Sequence, residues 1–246
     1  MKNNRKKIAV HLSKVTKSYV IHHEKPTLVE KFVRGREETF YAVKNLSLQI
    51  NAGEKIGLIG PNGSGKTTLL KLIAGITCPT NGTVHTDGKI VSLIDLEAGF
   101  HPDLTGEQNI FLNGMILGMK RAEIAKKMDS IIDFADIGRF IDSPLFSYSE
   151  GMKLKLGFSV AAHADPDILI LDESIYAGDL KFQRKLQKKL DEFFKDNKTI
   201  LLVTHWLEFV QKNCKRVLVM NGGKIIIDGK PKTTIAKYKQ MNKNHK

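Results

Sequence analysis

The octapeptide GPNGSGKT, residues 60–67, separates an apolar run, EKIGLIG (54–60), from KTTLLKLIAG (66–75), whose leucines and isoleucine recur at helical spacing. Gly60, Gly63 and Gly65 stand within six positions, so neither a strand nor a helix runs through the octapeptide. The chain must instead turn tightly between the two elements. Such a turn leaves the first N–H groups of the new helix without partners, at the positive end of its dipole. Lys66 adds a cationic head there, and Thr67 and Thr68 add hydroxyls. The pattern G-x-x-x-x-G-K-[ST] between a strand and a helix is a cradle for phosphate. The turn, with Pro61, Asn62 and Ser64 completing it, wraps phosphate oxygens. Lys66 meets the β- and γ-phosphates, and Thr67 reaches Mg²⁺. ATP with Mg²⁺ is the expected ligand.

A strand delivering a loop to a helix also selects a fold class, and the remaining chain agrees with it. Short apolar runs at 7–15, 41–50, 167–172 (DILILD), 199–204 (TILLVT) and 216–220 read as strands. Weaker strand signals lie near 83–94, with a turn at Asp87-Gly88, and Asn221-Gly222-Gly223 marks a hairpin into KIIID (224–228). From 106 to 164 the pattern is helical, over 107–119, 122–137 and 151–164; another helix covers 181–196, and a short one ends the chain. Apolar strands alternating with helices predict a mainly parallel sheet covered on both faces. One domain is expected over 1–246, with an inserted helical subdomain at 95–164. A charged insertion at 22–40 carries Leu28, Phe32 and Val33 on one side of a short helix-like segment.

Two more strand ends carry chemistry. In ILILDE (168–173) the strand brings Asp172 to the carboxyl end of the sheet, where ligands of open α/β folds gather. There Asp172 would hold Mg²⁺ and Glu173 would polarise the attacking water. In ILLVTHW (200–206) the strand ends at His205, placed to donate to the γ-phosphate and orient that water.

The order of Tyr19, the phosphate loop, the helical stretch, YSEGM (148–152), ILILDE, AGD (177–179) and His205 resembles the nucleotide-binding subunits of ABC transporters. The likeness runs from Tyr19 to the hairpin. It implies a P-loop NTPase fold with an antiparallel N-terminal β-subdomain beside the parallel core. It also implies a homodimer with two ATP molecules sandwiched head to tail. YSEGM stands where the family has LSGGQ, so Ser149 and Gly151 of one copy would meet the γ-phosphate held by Lys66 of the other. Tyr19 matches the residue that stacks on adenine, and Asp179 the loop that links the two sites.

Within the superfamily, LEAGFHPDLTGEQNI (96–110), YSEGMKLKLGF and AGD are similar to exporters of teichoic acid, capsule and O-antigen. The implied function is ATP hydrolysis that powers a separate permease, at the cytoplasmic face of a bacterial membrane. The insertion at 22–40 resembles a helix these subunits carry near the membrane interface. The carbohydrate-binding extension of some O-antigen members is expected to be absent. Where most relatives have a glutamine before the helical subdomain, this chain has Leu96-Glu97, so Glu97 or Asp95 is the candidate substitute; Gln108 lies too far along. Glu150 replaces a small signature residue and is expected to point away from the phosphate. Lys153 and Lys155 face either the nucleotide or solvent.

Composition sets the remaining bounds. The net charge of +13 favours an acidic partner, and part of it lies in the two lysine-rich ends, which read as solvated tails or as contacts to anionic headgroups. Cys78 and Cys214, far apart, point to a reduced compartment. No apolar run is long enough to cross a bilayer, and no signal peptide is read. The eight histidines lack zinc spacing. The alternatives are an ABC ATPase of another exporter class or one associated with nucleic acid. Against the latter, no long coiled-coil insertion, second ATPase unit or basic-aromatic stacking motif is seen. A non-hydrolysing module conflicts with the presence of Lys66, Asp172, Glu173 and His205.

Overall fold

A computed structural model describes residues 7–22, 37–94, 96–172 and 179–243. β1 (Ile8–His22) and β2 (Glu37–Asn51) pair antiparallel from Ile8↔Asn51 out to His22↔Glu37. Both are longer than the runs 7–15 and 41–50. The insertion expected at 22–40 is correspondingly narrower: His22 ends β1 and residues 37–40 belong to β2. Its middle, 23–36, lies outside the described residues. The charge of Glu37 and Glu38 masked the β-favouring run Thr39-Phe40-Tyr41, which pairs with Ser18-Tyr19-Val20. β4 (Asn81–Thr86) joins the other edge of β1, giving a three-stranded antiparallel sheet in the order β2-β1-β4.

β3 (Lys55–Ile59), β5 (Ile90–Ser92), β6 (Ile168–Leu171), β7 (Thr199–Val203) and β8 (Arg216–Asn221) run parallel in the order β5-β6-β7-β3-β8. β9 (Lys224–Gly229) closes the edge antiparallel to β8 through the hairpin read from the sequence. Their side chains divide between two cores. On one face Ile56, Leu58, Ile168, Ile170, Leu201, Val203 and Leu218 pack with Leu69, Leu70, Leu72 and Ile73 of α1 (Lys66–Ile73) and with the inner face of the three-stranded sheet. On the other, Ile59, Leu169, Leu171, Ile200, Leu202 and Val217 pack with helices. Burial on both faces is why these strands read as nearly unbroken apolar runs.

The covering helices are α2 (Gly106–Ile116), α3 (Arg121–Ala135), α4 (Glu150–His163), α5 (Leu180–Lys195), α6 (Leu207–Asn213) and α7 (Pro231–Lys243). The first three form the helical stretch. α2 opens with a capping box, in which Thr105 accepts from Gln108 N while the Gln108 side chain accepts from Thr105 N. Fully buried Asn109 then satisfies four groups of the preceding loop. Its carboxamide oxygen accepts from His101 N, and its nitrogen donates to the carbonyls of His101, Leu104 and Thr105. Asn113, one turn on, donates to Leu96 O at 3.4 Å.

The same loop abuts α4. A Cβ placed at Gly157 would lie 2.8 Å from Leu96 O and 3.0 Å from Leu96 Cβ. In an open helix Gly→Ala stabilises by about 0.5–1 kcal/mol. Here the added methyl must push backbone aside, so Gly157→Ala is expected to reverse that sign and destabilise by about 1–2 kcal/mol. Urea denaturation checks this, and a rise in the midpoint would refute the close contact.

Candidate functional site

The carboxyl ends of β3, β7 and β6 lie side by side, with Leu58 beside Val203 and Leu171 beside Leu202. Each parallel strand therefore releases its loop on the same edge of the sheet. β3 releases the phosphate loop, β6 releases Asp172, and β7 releases Thr204 and His205. A cleft of about 300 Å³ opens there, lined by Asn62, Gly63, Ser64, Gly65, Lys66, Thr67, Thr68, Asp172, Val203 and His205, with Phe40 and Ala42 from β2. The phosphate loop and the two strand-end residues named from the sequence share one space.

The loop's shape depends on its glycines. Gly60 and Gly65 have φ of 151° and 102°. A Cβ on Gly60 would lie 2.1 Å from Met220 O, and one on Gly65 would lie 2.1 Å from Ala42 O. Only glycine fits these positions. Gly65 is also the N-cap of α1, with no side-chain cap, so the helix start keeps donors for an incoming anion. Lys66 is 8% exposed and donates to the carbonyls of Gly60 and Pro61, both at 2.9 Å. Ser64 Oγ is buried at the cleft wall and has no hydrogen-bond partner. An orphaned hydroxyl beside a ring of backbone donors is what a phosphate oxygen would satisfy.

The donor set suits Mg²⁺ on the same ground. The Thr67 hydroxyl and Asp172 carboxylate are hard oxygen ligands on one cleft. Among the described residues no group of three or more His, Cys, Asp or Glu gathers.

Several sequence-read residues lie elsewhere. Tyr19 does not line the cleft; Phe40, its cross-strand partner, does. Glu97 is also outside the lining and sits near Lys153, whose pKa it helps to raise after Glu150 and against desolvation. Asp95 and Glu173 fall outside the described residues. Ser149 and Gly151 are exposed and away from the cleft. Ser149 caps α4, its Oγ accepting from Met152 N at 3.3 Å, and Tyr148 anchors the turn by donating to Phe140 O at 2.6 Å. A Cβ on Gly151 would meet nothing nearer than Ser149 Oγ at 3.9 Å, so this helix start is open to approach.

The charges around it have settled partners. Glu150 is 79% exposed and pairs with Lys153 at 2.7 Å. Lys155 faces neither solvent nor the cleft. It is 16% exposed, bonded to Asp179 and set over the Phe182 ring. Asp179 meanwhile caps α5, its Oδ1 accepting from Phe182 N at 2.9 Å. The pair was not legible in the sequence, because the partners are 24 residues apart on different elements. Phe40, Ala42 and Val203 were also missed as lining residues, since the first belonged to a stretch read as insertion.

The family described as ABC transporter matches residues 43–176. An O-antigen export system ATP-binding protein, RfbB, from Klebsiella pneumoniae is 40% identical over 94% of this chain and 97% of its own length. RfbB of Myxococcus xanthus is 46% identical over 85% of the chain, and the teichoic acids export ATP-binding protein TagH of Lactococcus lactis is 44% identical over 83%. The chain spans about half of these two, 49% and 44% of their lengths. Among solved structures, a dimeric ATP-binding cassette in a post-hydrolysis state bound to ADP and Pi superposes with a TM-score of 0.69 at 25% identity, covering 90% of this chain and 98% of that one. An ATP-binding subunit of an ABC transporter gives 0.73 at 20% identity over 94% and 93%, a likeness of fold.

The Lys155 ammonium, the Phe182 amide and further hydrogen bonding hold the Asp179 carboxyl down at about 2. A depressed carboxyl keeps its pair at every pH above the ordinary carboxylate value of about 4 and loses it only as pH falls toward about 2. Lys155→Met should return the Asp179 midpoint toward about 4 in an NMR titration, less whatever the Phe182 amide retains. A midpoint unmoved by the substitution would mean that the ion pair does not form in solution.

Proposed function

Because the chain belongs to the ABC transporter family of ATP-binding subunits, we propose that it hydrolyses ATP to drive a separate membrane permease that exports a cell-surface polysaccharide of the O-antigen or teichoic acid kind. One observation carries the enzymatic part: the phosphate loop, Asp172 and His205 border a single cleft at the carboxyl edge of the sheet. The polymer class is supported by relatives 40–46% identical that are ATP-binding proteins of O-antigen and teichoic acid export.

The triphosphate lies along the loop from Gly60 to Thr68. Backbone N–H groups and the Ser64 hydroxyl hold its oxygens, and Lys66 exchanges its carbonyl partners for the β- and γ-phosphates. Thr67 and Asp172 hold Mg²⁺, which when bound neutralises phosphate charge. Glu173, next in sequence to Asp172, accepts the proton of the attacking water. His205 donates to the γ-phosphate and keeps that water in line. The water oxygen bonds to the γ-phosphorus as the bridging bond to ADP breaks.

The cleft of one chain lacks Ser149 and Gly151, and the open start of α4 is suited to an anion. A second copy, turned head to tail, supplies that helix start to the γ-phosphate, so nucleotide binding closes a homodimer and hydrolysis opens it. α2–α4 carry the movement to the permease. No helix among the described residues is long and apolar enough to cross a membrane. In this reading the permease supplies the spans, and this subunit works at the cytoplasmic face.

Lys66→Ala should abolish ATP binding in calorimetry. Glu173→Gln should bind ATP normally, accumulate as a dimer in gel filtration and lose at least about a hundredfold in turnover, the usual scale for general-base catalysis. Full turnover in Glu173→Gln would rule out the assignment of the base. Introduced into the native host, the same variant should leave the polymer inside the cell. Normal surface polymer in that strain would rule out the export reading while leaving the ATPase intact.

A further inference from the structure

Where β3 and β8 begin, at the edge of the sheet away from the phosphate loop, a second cavity of about 530 Å³ opens. Lys55 starts β3 and Gly60 follows its end at the loop, so the strand separates the two sites by roughly 16 Å, at about 3.3 Å per residue. Four cations line this cavity, Lys55, Lys215, Arg216 and Lys230, against two acids, Glu54 and Asp228.

Both acids are committed to Arg216. Its Nη1 donates to Glu54 at 3.1 Å, while Nε and Nη2 donate to the two Asp228 oxygens at 2.8 and 2.6 Å. The forked pairing fixes the guanidinium and holds both carboxylates away from the lysines. Among the described residues none of Lys55, Lys215 and Lys230 forms an ion pair.

Lys55 is the informative member. It is 8% exposed, and its ammonium donates to carbonyls, to Asp196 O at 2.6 Å and to Gly53 O at 3.5 Å. Burial first, and then the charge of Lys215, push its pKa down, and the Asp196 carboxylate opposes them only in part. A buried ammonium that faces a like charge without a counter-ion is costly, and an anion in the cavity removes that cost. Lys215 and Lys230 are exposed at the rim, so an anion arriving from solvent meets them with Lys55 behind. The lining's two positive charges in excess match a doubly charged phosphate group. Ammonium groups, compact and each with three donors, suit its oxygens, and the cavity leaves room for part of the molecule that carries it.

We propose that this cavity is a second anion site, taking a phosphate-bearing ligand between Lys55, Lys215 and Lys230. It stands apart from the nucleotide cleft and does not rest on the ATP-binding reading.

The test titrates inorganic pyrophosphate into the full chain by calorimetry, in a Lys66→Ala background that disables the phosphate loop. Pyrophosphate should bind this chain. Adding Lys215→Gln with Lys230→Gln should weaken it about tenfold or more. Adding Lys44→Gln with Lys224→Gln instead removes the same charge from exposed lysines of another cavity, between β2 and β9, and should change the affinity by no more than about twofold. The proposal is overturned if the Lys66→Ala chain takes no pyrophosphate, if loss of the rim lysines leaves the affinity unchanged, or if the control pair lowers it equally. Sedimentation with vesicles of phosphatidic acid in phosphatidylcholine then identifies the source of the phosphate. Pelleting that depends on Lys215 and Lys230 assigns a lipid headgroup; pelleting without them, or none, assigns a soluble phosphate compound.

Discussion

The contact between the Ala42 carbonyl and the α-carbon of Gly65 is the constraint on which the rest of this structure turns. Two sheets of different character meet there, and the phosphate loop is caught between them. Lys44 N donates to Gly223 O at 2.8 Å, and Gly223 N donates to Ser64 O at 3.0 Å. The β8–β9 turn thus bridges β2 and the loop, while Met220 O closes against Gly60. Two segments, one before the loop and one far beyond it in sequence, fix one turn of backbone. A loop held in this way keeps its N–H groups aimed before any ligand arrives, which is what makes such a cradle effective.

Around that point the parallel sheet supplies convergence. Side chains of β3, β6 and β7 alternate between two cores, so none of these strands can slip by one residue without exchanging both faces at once. The register is therefore firm, and the strand ends that release the phosphate loop, Asp172 and His205 stay level. The helical stretch is tied to this frame differently. Buried asparagines and the close fit of Gly157 to Leu96 make the segment leading out of the sheet part of the helical packing. The Gly157–Leu96 contact joins α4 closely to the segment that leads out of the sheet.

The charges at the start of α4 are sorted by the same logic. Glu150 is neutralised locally by Lys153, and Asp179 is held by Lys155 while it caps α5. Neither acid is left to oppose an anion at the helix start, where backbone donors and the Ser149 hydroxyl remain. The two lysines, read from the sequence as facing either the nucleotide or solvent, pair with these acids, and Lys155 joins α4 to α5.

The sequence by itself determined the phosphate loop, the strands that deliver Asp172 and His205, the hairpin at Gly222-Gly223 and the helical run between. Each is a local pattern with a local cause: glycine's freedom in the turn, doubly buried strands that must be apolar, a 3.6-residue period. The Ser149 cap is local in the same sense, because its hydroxyl works on the amide three residues ahead. Only the tertiary structure decided that Phe40 faces the cleft, that the ribbon of β1 and β2 runs out to His22 and Glu37, and that Lys155 belongs to Asp179. Those outcomes depend on a bulge in β2, on cross-strand register and on two helices meeting, and none of these leaves a period or a spacing to read. Local chemistry is written along the chain, whereas the neighbours of a side chain are set by how distant segments pack.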